Sequence, residues 1–340
     1  MTEKNIILLD SAPQKEWNFS ELLEERTKMP WEIWHIDSHF NDSGLKKKMK
    51  FFWFPIKVLR KRKDFHMILS FQQFYGLILA LYCEIFHLKK KNRLFVATFI
   101  YRPKKGIVGE IYFRFMKKAV QSRYIDKIIC FSSTEPKYYE KLFSVKPGKF
   151  TYVSFAVGDV TPFVGNNRIS DEKFILSAGK SNRDYDFLVD ALKNTKYQVR
   201  ILSDEYFRKD TGNNIKLYHD VFGKEYYEML AKCFCVIVPL ADTHISAGQF
   251  VFLQSMMFGK PVIVTESETV GDYIEDRING FIIDKEKETL IRTLNELYGS
   301  TELYQEISGN GRKIYMRSYS LESMADQISE LCRQMEEGER

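Results

Sequence analysis

The sequence predicts an α/β protein built as two doubly wound domains, each a parallel sheet with helices on both faces. Three observations carry this. Strand-like and helix-like runs alternate from end to end; the alternation restarts after a polar stretch at residues 158–170; and 340 residues exceed what one core comfortably holds.

Apolar runs at 6–10, 31–37, 67–71, 94–99, 127–131 and 152–155 read as the strands of a first domain, with amphipathic segments between them. A second set at 174–178, 199–203, 215–218, 236–240 and 262–265 reads as the sheet of a second domain. The expected division is 1–160, a linker within 158–170, 171–320, and a final helix over about 321–335. Ser320 is the N-cap of that helix and Glu322 lies in its first turn. Pro55 is expected to kink or divide any helix that runs through it. Asn279-Gly280 reads as a turn.

Composition narrows the class. The chain is 44% hydrophobic, with 27 Phe and 19 Tyr and no long low-complexity tract, so it is folded almost throughout. Its five cysteines, Cys83, Cys130, Cys233, Cys235 and Cys332, lack zinc-like spacing and read as buried thiols in a reducing cytoplasm, with no metal expected. No secretory signal is expected ahead of the first strand. The apolar run 71–86 contains Gln72, Gln73 and Glu84 and is too short to span a bilayer.

Charge is strongly segregated. Residues 44–127 hold 21 Lys or Arg against four acids, within a chain whose net charge is only +6. One half is cationic and the other anionic, which points to a polyanionic surface met from one side. Residues 44–63 carry nine basic residues and no acid, with Phe51, Phe52, Trp53 and Phe54 at the centre. Lys46, Lys47, Lys48 and Lys50 beside those aromatics suit an element lying in a lipid headgroup layer. Ordinary core packing with a solvated face is the bland alternative. Nucleic-acid binding lacks any accompanying recognition motif, so no nucleic-acid partner is expected.

The most informative stretch is 246–265. Ser246-Ala247-Gly248-Gln249 enters an apolar helix, the helix stops at Gly259, Lys260-Pro261 turns the chain, and 262–265 reads as a buried strand. An open helix N-terminus offers unpaired N–H groups to a phosphate or polar ligand, and Gly248 allows close backbone approach. The strand 174–178 ends in Gly179-Lys180-Ser181-Asn182-Arg183, where two cations can grip a diphosphate.

With Gly259-Lys260-Pro261-Val262-Ile263 in place, the segment resembles the nucleotide-sugar site of GT-B glycosyltransferases, the retaining family 4 in particular. The resemblance implies two facing Rossmann-like domains with a cleft between them and a last helix, 321–340, that returns to the N-terminal domain. It also implies a nucleotide-sugar donor as substrate and no cofactor. Counting back from the motif, Gln254 and Ser246 stand where the family has two Glu residues. By resemblance Lys180 and Arg183 take the catalytic role of neutralising the donor diphosphate. Gly179, His244, Ser246, Ala247, Gly248 and Gln249 line the donor, and Gln254 accepts from the ribose. The loop 219–222 would support the base, mostly through backbone atoms.

In the first domain, Ile100 replaces the family's His, and Tyr101 and Arg102 would face the acceptor. The implied function is a retaining glycosyltransferase that moves a sugar to a lipid-linked saccharide in surface polysaccharide biosynthesis, peripheral at the inner face of the cell membrane. A non-catalytic membrane-associated scaffold or partner subunit is the alternative that the missing carboxylates and His leave open.

Overall fold

A computed structural model describes residues 4–13, 17–36, 44–165, 168–244 and 246–337, without the side chains of 44–48. The chain divides into two compact units, Met1–Ser154 with Met324–Arg340, and Phe155–Ser323.

The first unit alternates β1 (Lys4–Leu9), α1 (Phe19–Thr27), β2 (Trp31–His35), α2 (Gly44–Lys61), β3 (Phe65–Ser70), α3 (Gln73–Ile85), β4 (Arg93–Val96), α4 (Gly106–Val120), β5 (Lys127–Cys130), α5 (Glu135–Phe143) and β6 (Phe150–Tyr152). Its six strands are parallel in the order β2-β1-β3-β4-β5-β6. The second unit holds β7 (Ile175–Ala178), α6 (Tyr185–Leu192), β8 (Val199–Leu202), β9 (Ile215–Tyr218), α7 (Gly223–Lys232), β10 (Cys235–Val238), α8 (Gln249–Met257), β11 (Val262–Thr265), β12 (Phe281–Ile283), α9 (Lys287–Gly299) and α10 (Thr301–Ile314). Its sheet is also six-stranded and parallel, in the order β12-β11-β10-β7-β8-β9. The final helix is α11 (Leu321–Glu337). Each unit is thus a parallel sheet flanked by helices, the doubly wound, Rossmann-like architecture expected from the sequence.

The central strands β7, β10 and β11 are buried along their whole length, because helices cover both faces of a parallel sheet. Such strands read as unbroken apolar runs, which is why their positions were visible in sequence. All five cysteines are free and buried, and burial pushes the thiols of Cys233 and Cys332 up to about 12.

Four expectations change. The sixth strand of the second sheet, β12, follows the Asn279-Gly280 turn and pairs with β11; it is three residues long and carries no periodicity of its own. The last strand of the first unit ends at Tyr152, whereas 152–155 was expected. Residues 155–164, placed in the first domain and linker by sequence, pack with the second unit. There Asp159 pairs with Arg312 at 2.7 Å, and Tyr315 donates to the Val157 carbonyl at 2.9 Å. Finally, α2 runs unbroken through Pro55, whose ring is buried with Phe54 and Val58 on the inner face of the helix.

Helical periodicity also divides the basic aromatic segment. Phe54 is 1% exposed and lies 4.8 Å from the Tyr75 ring, and Phe51 packs 5.1 Å from Phe74. These two are core residues, which corrects their expected docking role. Phe52 and Trp53 point outward, 49% and 64% exposed, with Met49 alongside. The side chains of Lys46, Lys47 and Lys48 lie outside the described residues.

Candidate functional site

In the second sheet the chain runs outward from β7 through β8 to β9 on one side, and from β10 through β11 to β12 on the other. The order reverses between β7 and β10, and open α/β sheets bind ligands outside the carboxyl ends of strands at such a point. Here those ends carry 179–184 and 239–248, the two segments singled out by sequence.

The first loop is tightly specified. Gly179 has φ +104°, a backbone conformation that favours glycine, and a Cβ there would stand 2.9 Å from Nη2 of Arg183. Its carbonyl accepts from the Tyr185 hydroxyl, and its N–H donates to the Leu202 carbonyl at 3.2 Å. Asp184 then caps α6 by accepting from the Phe187 N–H at 3.1 Å.

The loop is also laced to its neighbour. The Asp184 N–H donates to the Pro239 carbonyl at 2.9 Å, and the Asn182 side chain exchanges two hydrogen bonds with the Asp242 backbone, at 2.8 and 2.9 Å. Lys285, just beyond β12, pairs with Asp184 at 3.1 Å and donates to the Ala241 carbonyl at 2.8 Å. Sequence reasoning missed this clasp. Asn182 and Asp184 sit inside the motif it used, but nothing local connects them to Asp242 or Lys285.

Of the two predicted cations, Lys180 is exposed and pairs loosely with Glu205 at 3.6 Å. Arg183 is turned back into its own loop. Its Nε donates to the Ala178 carbonyl at 3.0 Å and its Nη1 to the Ser181 carbonyl at 2.8 Å. Burial holds its pKa below the ordinary arginine value, opposed by the nearby Tyr185 and Tyr226 hydroxyls. Nη2 forms no hydrogen bond among the described residues.

The second lip is the start of α8. Gly248 is its N-cap with φ +93°, and a Cβ would lie 3.0 Å from Val238 Cγ1. Ala247 is buried, and the Gln249 amide donates to the Ser246 hydroxyl. His244 is exposed and its Nδ1 lies 2.6 Å from the Glu268 carboxylate. Gln254, one turn further along the helix, is only 2% exposed. Its Nε2 donates to the Tyr227 hydroxyl at 3.3 Å, while its Oε1 and the Tyr226 hydroxyl are buried with no partner among the described residues. A buried carbonyl oxygen without a donor is costly, and a ligand hydroxyl would satisfy it.

In the first unit, Tyr101 stacks on Tyr112 with ring centroids 5.6 Å apart and packs against the core around Phe143. The Ile100 N–H donates to the Gln73 Oε1 at 3.0 Å, its carbonyl accepts from Gln73 Nε2 at 3.2 Å, and its side chain offers no titratable group. Arg102 is exposed immediately after the half-buried Tyr101. No helix among the described residues is long and apolar enough to cross a membrane.

Residues 165–314 match the family described as "Glycosyl transferases group 1". An uncharacterized glycosyltransferase of Methanocaldococcus jannaschii is 25% identical over 146 residues, 40% of each protein, so the match spans well under half of that curated relative. Among solved structures, Anabaena HepE, determined in complex with UDP and glucose, is similar with a TM-score of 0.67 at 15% identity, over 97% of this chain and 99% of that one. WaaG, a glycosyltransferase involved in lipopolysaccharide biosynthesis, gives 0.65 at 14% identity over 96% and 99%. Sucrose-phosphate synthase from Thermosynechococcus elongatus gives 0.69 at 14% identity over 99% and 100%.

Proposed function

We propose that this GT-B protein, whose residues 165–314 form a group 1 glycosyltransferase domain, transfers a sugar with retention from a nucleotide-sugar donor to a lipid-linked saccharide. The observation that carries the reading is the pair of laced loops at the β7/β10 switch point, with cations on one lip and a helix N-terminus on the other.

The donor diphosphate would lie over Gly179, within reach of Lys180, Nη2 of Arg183 and the first amides of α8. Fixed positive groups in that position stabilise the charge that grows on the leaving phosphate. The bond from the sugar C1 to the phosphate oxygen breaks and a bond from C1 to the acceptor hydroxyl oxygen forms on the same face. The hydroxyl proton passes to the departing phosphate, since Ile100 supplies no base. Gln254 Oε1 would accept from a ribose hydroxyl.

The lipid-facing part of the proposal rests on the first unit. Met49, Phe52 and Trp53 stand exposed on α2 beside Lys57 and Arg60, and Ile107, Val108 and Ile111 stand exposed at the start of α4. Bulky apolar side chains flanked by cations suit the headgroup layer of an anionic membrane. Such docking would put the protein at the inner membrane face, and surface polysaccharide assembly is the setting that suits it. The similarity to WaaG supports that setting.

The closed environment of Gln254 and the inward turn of Arg183 favour a second reading, a membrane-associated scaffold that has lost catalysis. Thermal melting with UDP-, GDP- and dTDP-sugars separates the two. A donor that raises the melting temperature and yields labelled lipid with membrane extract supports transfer. No shift with any donor leaves the scaffold.

A further inference from the structure

We propose that Phe207 is the shelf on which the donor's nucleobase stacks, backed by the imidazole of His219. This deepens the donor reading above and rests on it.

Phe207 lies in the connection between β8 and β9 and is 73% exposed, an unusual setting for so large an apolar ring. It is nevertheless held in place. Its ring is stacked on His219, with centroids 4.6 Å apart and planes 17° from parallel. The residues on either side are anchored to α6. Tyr206 donates to Asp186 at 2.9 Å and packs 5.1 Å from the Tyr185 ring, while Arg208 pairs with Asp186 at 3.1 Å and Asp190 at 2.5 Å. One face of Phe207 is therefore covered by His219, and its exposure lies elsewhere on the ring.

His219 is fixed as well. Its Nδ1 lies 2.7 Å from the Ser203 carbonyl, which can only accept, so Nδ1 carries a proton and donates it there. The next residue ties the two loops together, with the Asp220 N–H donating to Asp204 at 2.8 Å. The aromatic pair is thus a preformed flat surface that needs no ordering when a ligand arrives.

Its place in the sheet suits a base. β7, β8 and β9 are consecutive neighbours, so the end of β9 lies two strand spacings, roughly 10 Å, from the end of β7. The Lys180–Glu205 contact joins the phosphate loop to the same connection that bears Phe207. A nucleotide with its diphosphate over Gly179 and Lys180 can extend its base across β8 to the Phe207 face. Any base has a π face to stack, so Phe207 contributes grip on the nucleotide as a class, and the choice among bases falls to their edges.

The test is calorimetric binding of UDP, GDP, dTDP and inorganic pyrophosphate to the full chain and to Phe207→Ala and Phe207→Trp. The ring is exposed, so both variants keep the core; thermal melting without ligand checks that. Phe207→Ala is expected to bind the preferred nucleotide about tenfold more weakly, with pyrophosphate unchanged and Phe207→Trp close to wild type. Equal nucleotide binding by wild type and Phe207→Ala overturns the shelf alone. An equal loss of pyrophosphate also overturns it, because pyrophosphate has no base. If the wild type binds none of the nucleotides, the donor reading itself fails and the shelf with it.

Discussion

Nε of Arg183 donates to the Ala178 carbonyl at 3.0 Å, so the cation nearest the switch point is also a strut of the loop it serves. The same guanidinium stands 2.9 Å from where a side chain on Gly179 would begin, which joins the glycine and the arginine into one device. The proposed phosphate-binding role and a structural role therefore share one side chain.

Arg183→Ala removes both. Donor turnover should fall at least tenfold, and stability should drop by about 1–3 kcal/mol, because the Ala178 and Ser181 carbonyls lose their donor. Arg183→Lys keeps the charge but cannot span both carbonyls, so it should recover only part of each loss. Steady-state kinetics and chemical denaturation read the two effects separately. Unchanged turnover in Arg183→Ala would remove this residue from the donor site.

Gln254→Glu restores the acidic type at the position facing the proposed ribose. The buried site offers the new carboxylate only the Tyr227 hydroxyl in place of an amide contact, so the unliganded variant should be less stable by about 2 kcal/mol. Where a ribose hydroxyl reaches it, a charge-assisted bond should replace a neutral one. The gain is about 1 kcal/mol, a roughly fivefold lower KM for donor. A variant that loses stability without gaining affinity would detach Gln254 from the nucleotide.

Three aromatic neighbours on α2, Phe52, Trp53 and Phe54, should behave in two ways. Phe52→Ser with Trp53→Ser should leave the melting temperature nearly unchanged and reduce flotation with anionic vesicles, because both rings are exposed. Phe54→Ala empties a core position and should cost about 3–5 kcal/mol. Vesicle binding that survives loss of both exposed rings would exclude this face as the docking element.

Lys149 makes stability depend on pH. Its Nζ donates to the carbonyls of Ser122, at 2.8 Å, and Ile125. Burial pulls its pKa from 10.5 to about 8, against the opposing charge of Asp126. The folded value lies below the unfolded one, so between them the unfolded chain binds more protons and this lysine's contribution to stability rises with pH. Relative to Lys149→Met, the wild type should gain on the order of 2 kcal/mol between about pH 8 and pH 10 in urea unfolding. A constant difference would mean that the amine keeps its ordinary pKa.

What was legible in the sequence follows the range of the interactions involved. β11 occupies the predicted residues because a parallel strand under two helical layers must be an apolar run, and the turn before it uses Gly, Lys and Pro for local reasons. Gly179 and Gly248 were visible because each sits between a strand and a helix. Both have positive φ that a side chain would strain. β12 was hidden, since three residues carry no period and form a strand only by pairing with β11.

The candidate site divides in the same way. Sequence alone determined the residue types at the switch point: the two cations of the β7 loop, the glycine entry to α8 and the Gln where the resemblance leads one to expect Glu. The tertiary structure decided what each type does. It turned Arg183 onto Ala178 and Ser181, sealed Gln254 at 2% exposure, sent Phe54 inward and Trp53 outward, and set Phe207 on His219. The reason is physical. Conformation and apolar period are written in near neighbours along the chain, whereas burial, hydrogen-bond partners and ring stacking depend on residues that only folding brings together.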